Sequence, residues 1–479
     1  MLMKKVFTFI LMAAAACTLQ AKVYTFADLS QIEGSGVTVA SDGAYVLTMS
    51  TGLTEPMSLD GGGIIVSKSD LTLADGNGLK INDGEVIKFS DKARIVMNGL
   101  LEADVQDATI TATDDATGTA LGIRLFGAQS KAVLKNLTMK YVGITFGPDG
   151  SDGNLVADGC TFDSFNGKMG TSNINFTSES HGNVVNNCTF TNGQVACVAC
   201  GSNVPCGIDI TNCVMDKNGV SGRLTPAINM GLYGSYDINI ENNVVTGRAV
   251  VTRTGGIAVS HLMGGEFTGT VTIKGNTVTD NSYGITLTGP GKVIIENNVV
   301  KNNRYIASAM NGGSGINITA NTGGAIARIR GNEIEGNMWG ITLIGPKAGS
   351  ELPLIEVDLG TATDPGLNTF KDNGNDGTNY SIEAGNLCDL YNNSGSEVYA
   401  VGNTWNVADQ EDLDAIEAVI YNMNDDESLG EVIFAQETGI AEVKTAAATD
   451  GRYYDLMGRP VANPTAGIYI HQGKKLIVR

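Results

Sequence analysis

The stretch VTIKGNTVTDNSYGITLTG, residues 271–289, decides how this chain folds. Val271 and Ile273 alternate with polar residues, as a strand with one buried face requires. Gly275-Asn276 breaks that run, Val278 stands between polar neighbours, and Asp280-Asn281 breaks the chain again. Ile285 and Leu287 then restore the alternation. The stretch ARIRGNEIEGNMWGITLIG, 327–345, follows the same course. Each reads as three short strands separated by Asn/Gly turns.

The middle strand and its turn recur along the chain. KNLTM (135–139), DGCTF (158–162), NNCTF (186–190), TNCVM (211–215) and ENNVV (241–245) are followed by GNTVT (275–279), ENNVV (296–300), GNEIE (331–335), LNTFK (367–371) and GNTWN (402–406). With the Asn or Gly before the apolar pair as marker (136, 159, 187, 212, 243, 276, 298, 332, 368 and 403), the steps run from 22 to 36 residues. A base coil of about 22 residues with variable insertions accounts for them, and such a period means stacked units. The fold expected is all-β: a right-handed single-stranded parallel β-helix with three short strands per coil. Equivalent positions then stack about 4.8 Å apart, so like residues form ladders. Asn is the expected ladder residue, because it tolerates the left-handed conformation and can bond the next coil. A β-propeller, with blades near 40–45 residues, fits less well.

Composition agrees. The 479 residues include 62 Gly but only 10 Pro, which suits many turns and a ladder in which every strand must donate its N–H. A net charge of −20 argues against nucleic acid and against anionic membrane as partners.

Both ends of the helix carry cap signals. An open edge would recruit other strands unless covered. At the far end Leu413, Ile416, Val419 and Ile420 share one face of an expected amphipathic helix, with Trp405 beneath it. The segment GNTWNVADQEDLDAIEAVIYNMNDDESLGEVIF (402–434) resembles the terminal coil and cap of the bacterial right-handed β-helix repeat family (pectate-lyase-like superfamily). LKINDGEVIKFSDKARIVMNGLLEAD (79–104) resembles its early coils. The organisation expected is a signal peptide (1–21), an N-terminal strand and cap region (22–60), the β-helix (61–407), a C-terminal cap (408–438), a linker (439–449) and a small terminal module (450–479).

Export is written at both termini. Lys4 and Lys5, the apolar run Val6–Ala16 and the exit Leu19-Gln20-Ala21 have the order of a secretory signal. A lipoprotein signal would use Cys17, but Ala14 stands where such signals carry Leu. No stretch approaches the roughly 20 apolar residues of a transmembrane helix. At the other end, alternating residues such as Tyr454, Leu456, Ile468 and Ile470 suggest short antiparallel strands with turns at Gly458 and Asn463-Pro464. YYDLMGRPV, P-x-x-G-I-Y-I and the final GKK-x-x-V-R together resemble the C-terminal sorting domain of the type IX secretion system. That resemblance implies secretion or attachment at the outer cell surface through that machinery.

Chemistry is harder to find. Cys160, Cys188 and Cys213 share one place in three successive repeats, which reads as a buried ladder of thiols. Cys197, Cys200 and Cys206 form C-x2-C-x5-C, but a tetrahedral zinc needs a fourth ligand from Cys213 or His181. With Cys388, these seven suggest a partial disulfide set in an exported protein. Acidic turns around Asp149, Asp152, Asp372 and Asp376 match no spaced calcium loop, so no cofactor is expected and structural calcium has no motif behind it. Polygalacturonases on this fold combine four motifs; Ser180-His181-Gly182 and Arg328-Ile329-Arg330 resemble two, without the paired carboxylates hydrolysis needs.

The longest insertions, 216–236 and 247–268, are the expected walls of a ligand groove. Tyr233 and Tyr236 suit stacking on sugar rings, while Arg223, Arg253 and His261 suit hydroxyls or carboxylates. The function expected is a monomeric, secreted or surface protein that binds polysaccharide or a surface glycan in an adhesin-like role without catalysis. The alternative is a polysaccharide lyase or glycoside hydrolase working through the 216–268 loops.

Overall fold

In a computed structural model, residues 271–289 form the strands Val271–Lys274, Thr277–Thr279 and Ile285–Thr288, one on each of three faces. The structure describes residues 21–49, 57–68, 70–147, 154–221, 225–249, 254–305, 313–374, 387–435, 452–455, 458–471 and 474–478. Two compact units emerge, Met1–Phe434 and Ala435–Arg479.

The first unit is the coil of 271–289 repeated. On face one Val271–Lys274 pairs in parallel with Ile238–Glu241 on one side and Gly291–Glu296 on the other. On face two Thr277–Thr279 lies between Val244–Thr246 and Val299–Lys301. On face three Ile285–Thr288 lies between Ile257–Ser260 and Ser314–Thr319. Inward side chains stack on their own kind. Ile273, Ile295 and Ile329 line face one, Val278, Val300 and Ile334 face two, and Ile285, Ile316 and Ile341 face three, all fully buried. Each contributes roughly 1.5–3 kcal/mol of apolar burial.

The turn from face one to face two splits the two roles expected of a single Asn. The first turn residue takes the left-handed conformation, as at Asn242 (φ 57°), Gly275 (φ 67°), Asn297 (φ 55°) and Gly331 (φ 63°). The second points inward and forms the ladder. The Asn276 N–H and Nδ2 both donate to Asn298 Oδ1, at 2.9 and 3.0 Å, and Nδ2 also donates to Ile240 O at 2.8 Å. The pattern runs through Asn243, Asn276, Asn298, Asn332, Asn368 and Asn403. A buried amide satisfied on both sides avoids the desolvation penalty that an unpaired one would carry.

Above Asn243 the same column is built of thiols. Cys213 N–H donates to Asn243 Oδ1 at 2.9 Å, and the Cys213 and Cys188 thiols donate to Val185 O and Ala157 O at 3.5 and 3.6 Å. In the early coils the sequence marker therefore sits one residue ahead of the ladder, on Asn187 and Asn212, both left-handed. The expected disulfides are not formed: Cys160, Cys188, Cys197, Cys200, Cys206, Cys213 and Cys388 are free thiols.

A second column stands at the turn from face two to face three. Asn281, Asn303 and Asn337 each pass an N–H to the Oδ1 of the next member, the last being Asn373, at 3.0–3.1 Å. The column ends on Asp389, whose Oδ1 accepts from Asn373 Nδ2 at 3.4 Å.

Both ends are covered. Val23–Thr25 pairs with Gly78–Lys80, and the helix Phe26–Gln31, started by a Thr25/Asp28 capping box, buries Phe26 and Leu29. At the other end the expected amphipathic helix is shortened to one turn, Leu413–Glu417. Leu413 is exposed, and Ile420 has left the helix to pair with Leu390 on face three. Strand pairing with the last coil outcompetes helix propensity there. Trp405 stacks on Phe370 with centroids 5.0 Å apart, closing the core.

The second unit is a four-stranded antiparallel sheet in the order Pro460–Val461, Tyr453–Tyr454, Gly467–His471, Lys474–Val478. The Tyr453 ring stacks on His471 at 4.3 Å.

Candidate functional site

Outward side chains on face three form one continuous line. Register places Arg124, Thr145, Asn175, Ala199, Asn229, Ala258, Thr286, Asn317, Thr342, Tyr391 and Tyr421 on successive coils. These residues face away from the core, yet Ala199 (1%), Ala258 (7%), Asn317 (7%) and Thr342 (0%) are almost withdrawn from solvent. On face two, by contrast, the outward Val214 and Val244 stand 42% and 41% exposed. Face three is therefore the sheltered face of the coil, and its outward line is the candidate floor of a binding surface. Its upper end is covered by the segment before Ser172–Phe176, where Thr145 Oγ1 donates to Met169 O at 2.8 Å and Thr171 Oγ1 to Asn175 Oδ1 at 3.2 Å.

The lower floor is a connected polar line. Thr286 Oγ1 donates to Asn317 Oδ1 at 2.9 Å, Asn317 Nδ2 donates to Thr342 Oγ1 at 2.6 Å, and Thr342 Oγ1 meets Ser314 Oγ at 2.9 Å. Below it the half-buried Tyr391 and Tyr421 rings stack at 4.8 Å and 15°. Burial pushes the Tyr391 hydroxyl pKa up, so the ring stays neutral. Seven rungs from Asn229 to Tyr421 span about 29 Å at the spacing of stacked strands.

The residues singled out from sequence fall on the margins of this floor. Tyr233 and His261 follow face-three strands and converge on one loop: His261 Nε2 lies 3.2 Å from Gly265 O, and a Cβ on Gly265 would lie 2.2 Å from the Tyr233 ring. Tyr236 is engaged elsewhere, at the start of a face-one strand. Its ring stacks on His181 at 4.4 Å across Gly207, and its hydroxyl donates to Glu179 Oε1 at 2.7 Å. Arg223 and Arg253 lie outside the described residues, as do Asp149, Asp152 and Asp376. Sequence reasoning passed over Asn317, Thr342, Tyr391 and Tyr421; the long stretch between Thr369–Lys371 and Leu390–Asn393 was an available signal for Tyr391.

Two depressions lie elsewhere. One of about 670 Å³ on face one has Ile294, Ile326, Leu354 and Tyr399 in its floor and Lys292, Arg328, Glu356 and Glu397 around it. Arg328 there is already paired with Glu296 and Asp364. The other, about 350 Å³, is polar and lined by Tyr141, Ser164, Asn166, Asn192 and Gln194 among others.

Among the described residues no paired acid and base gather around the floor. Ser180 is buried and bonded to Asn183, and Arg330 is held by Asp358. Asp389 has its carboxyl pushed up to about 7 by burial, but it is sealed inside the coil rather than open to a substrate. Burial likewise raises the pKa of the Cys197 thiol, which disfavours the thiolate a metal would need. Among the described residues no three His, Cys, Asp or Glu side chains gather to hold a metal ion. No described helix is long and apolar enough to cross a membrane.

Comparison with known proteins agrees with this architecture. The family model "Right handed beta helix region" matches residues 121–300 and 230–352. The fold is a right-handed parallel β-helix. Among solved structures, a point mutant of the periplasmic alginate epimerase AlgG is 12% identical, with 86% of this chain and 84% of that chain covered and a TM-score of 0.39. A double mutant of the same epimerase is 11% identical at a TM-score of 0.35, and the unmutated enzyme 10% at 0.31, with the same coverage. No curated protein matches the chain in sequence.

Proposed function

We propose that the β-helix is an exported, non-catalytic binding protein that holds an extended glycan along face three. The observation that carries this reading is the uninterrupted outward line from Asn229 to Tyr421, one residue on each successive coil. Hydroxyl and amide groups at Asn229, Thr286 and the coils below suit sugar hydroxyls, with Ala258 an apolar gap between them, and stacked aromatic rings suit the apolar face of a pyranose. Tyr233 and His261 stand on the margin where the chain leaves the floor, in reach of the same ligand. The signal at 1–21 and the sorting-domain motifs at 450–479 support delivery to the cell surface by type IX secretion.

The test is a polysaccharide panel offered to the mature protein, with retention, unsaturated-uronate absorbance and reducing ends all followed. Retention without turnover, weakened by Tyr391→Ala, is expected. Turnover of any member would overturn the non-catalytic reading in favour of a lyase or hydrolase. Deleting 450–479 is expected to leave the protein inside the outer membrane.

A further inference from the structure

We infer that the polar depression at the corner between faces two and three is a separate site for a single pyranose unit. It stands on its own residues and does not depend on the face-three line. Lys140, Asp163 and Thr191 are register partners at the end of face two, and the residue after each is left-handed: Tyr141 (φ 65°), Ser164 (φ 52°) and Asn192 (φ 55°). Val142 and Phe165, next in the chain after the first two, are fully buried, while Tyr141, Ser164 and Asn192 line the depression. Three successive coils thus present an aromatic ring, a hydroxyl and an amide about 4.8 Å apart. Thr117 borders the upper end and Gln194 the lower, around a space of about 350 Å³. Small-molecule sites begin at about 300 Å³, so the space suits one sugar ring.

The walls are braced. Asn166 Nδ2 donates to Thr117 O at 3.2 Å and to Ala120 O at 2.9 Å, two coils earlier. The Asn166 N–H donates to Tyr141 O at 3.1 Å, and the Gln194 N–H to Phe165 O at 2.8 Å. Walls already in place spare a ligand the cost of ordering them. The groups left over favour hydroxyls. Asp163 Oδ1 accepts from Ser164 Oγ, Thr191 Oγ1 and Asn192 Nδ2 at 3.0, 3.0 and 3.1 Å, and Asp163 Oδ2 holds Lys140 Nζ at 3.5 Å. Asn192 Oδ1 and the Ser164 Oγ lone pairs remain as acceptors. The Gln194 amide, with no side-chain bond among the described residues, both donates and accepts. Adjacent hydroxyls on a pyranose do the same, and the half-buried Tyr141 ring supplies an apolar wall for its C–H groups.

The experiment is saturation-transfer difference NMR of the mature protein with the methyl pyranosides of glucose, galactose, mannose, xylose and N-acetylglucosamine, and with glycerol as a plain polyol. The variants are Gln194→Ala and Tyr141→Asn, the latter chosen because Asn tolerates the left-handed corner, with thermal melts to confirm that both fold. At least one glycoside is expected to receive saturation at about millimolar affinity, well above glycerol. Gln194→Ala and Tyr141→Asn should each weaken it about fivefold or more, and Tyr391→Ala should leave it unchanged. Silence from every glycoside, a signal that neither corner variant weakens, one that Tyr391→Ala abolishes, or glycerol bound as well as any glycoside would each overturn the site. Gln194 and Tyr141 report on the corner and Tyr391 on face three, so either reading can fail while the other stands.

Discussion

Cys213 and Asn243 are consecutive rungs of one internal column and do the same work with different atoms. The Asn243 amide donates to Ile210 O at 2.9 Å; one coil earlier the Cys213 thiol donates to the equivalent Val185 O at 3.5 Å. A soft thiol thus stands in for an amide, with a longer and weaker bond.

Replacing the thiol by the amide should extend the ladder. Cys213→Asn is expected to leave the fold intact and to raise stability by up to about 1 kcal/mol. Differential scanning calorimetry against Cys213→Val, which lacks the donor, measures the contribution. A lower Tm for Cys213→Asn than for Cys213→Val would contradict the equivalence of the rungs.

Breaking the ladder in the middle should be costly. Asn298 accepts from Asn276 and donates to Ile273 O and Asn332 Oδ1, so Asn298→Ala strands buried groups on two neighbours. A loss of roughly 3 kcal/mol or more is expected. Hydrogen exchange should show the loosening centred on residues 271–301 rather than at either cap.

Asp389 gives the terminal coil a pH dependence of defined sign. Burial raises its carboxyl from 3.8 to about 7, against the N–H of Asn406 and the amide of Asn373, with Asp372 adding repulsion. The folded state therefore holds the proton more tightly than the unfolded chain. This group's contribution is complete below pH 4, declines between about pH 4 and 7, and is flat above. Up to about 4 kcal/mol is at stake. Asp389→Asn, which continues the column, should be more stable than the parent at pH 8 and lose that slope. Urea melts across pH 4–8 decide it.

Two carboxylates around Arg330 should behave differently. Arg330, 7% exposed, donates to Asp358 Oδ2 at 2.6 Å and to Asp364 Oδ2 at 3.3 Å. Asp364 is 54% exposed and shared with Arg328. Asp364→Ala is expected to change stability by less than about 1 kcal/mol. Asp358, itself 43% exposed, is the nearer partner of the buried guanidinium, which also donates to Ile329 O and Asp358 O, so Asp358→Ala is expected to cost about 1–2 kcal/mol in chemical melts, more than Asp364→Ala.

Sequence carried the coil because its signals are local. In 271–289 the alternation and both turns coincide with the strands and turns of the structure. It misplaced the ladder by one residue where thiols replace asparagines, since Asn187 and Asn212 mark the left-handed corner and look like rungs. It overextended the terminal helix because Ile420 satisfies a helical stripe and a strand register equally. The face-three floor stayed hidden for another reason. Ala199, Asn229, Ala258, Thr286 and Tyr391 follow no repeated residue type, and only register shows that they form a line. Their low exposure is likewise a property of neighbours distant in sequence, as at Thr145, which donates to Met169 O.

The corner between faces one and two keeps two residues in coil after coil, from Asp158–Thr161 through Arg330–Glu333, while the other two corners vary in length. Inheritance can therefore treat these corners differently. A residue gained at Gly275-Asn276 would push Asn276 off the ladder and break the column at that coil, whereas a peptide gained at a corner of variable length leaves the rungs in place. The ladder acts as a fixed spine that lets one scaffold change what it recognises by exchanging loops, without refolding.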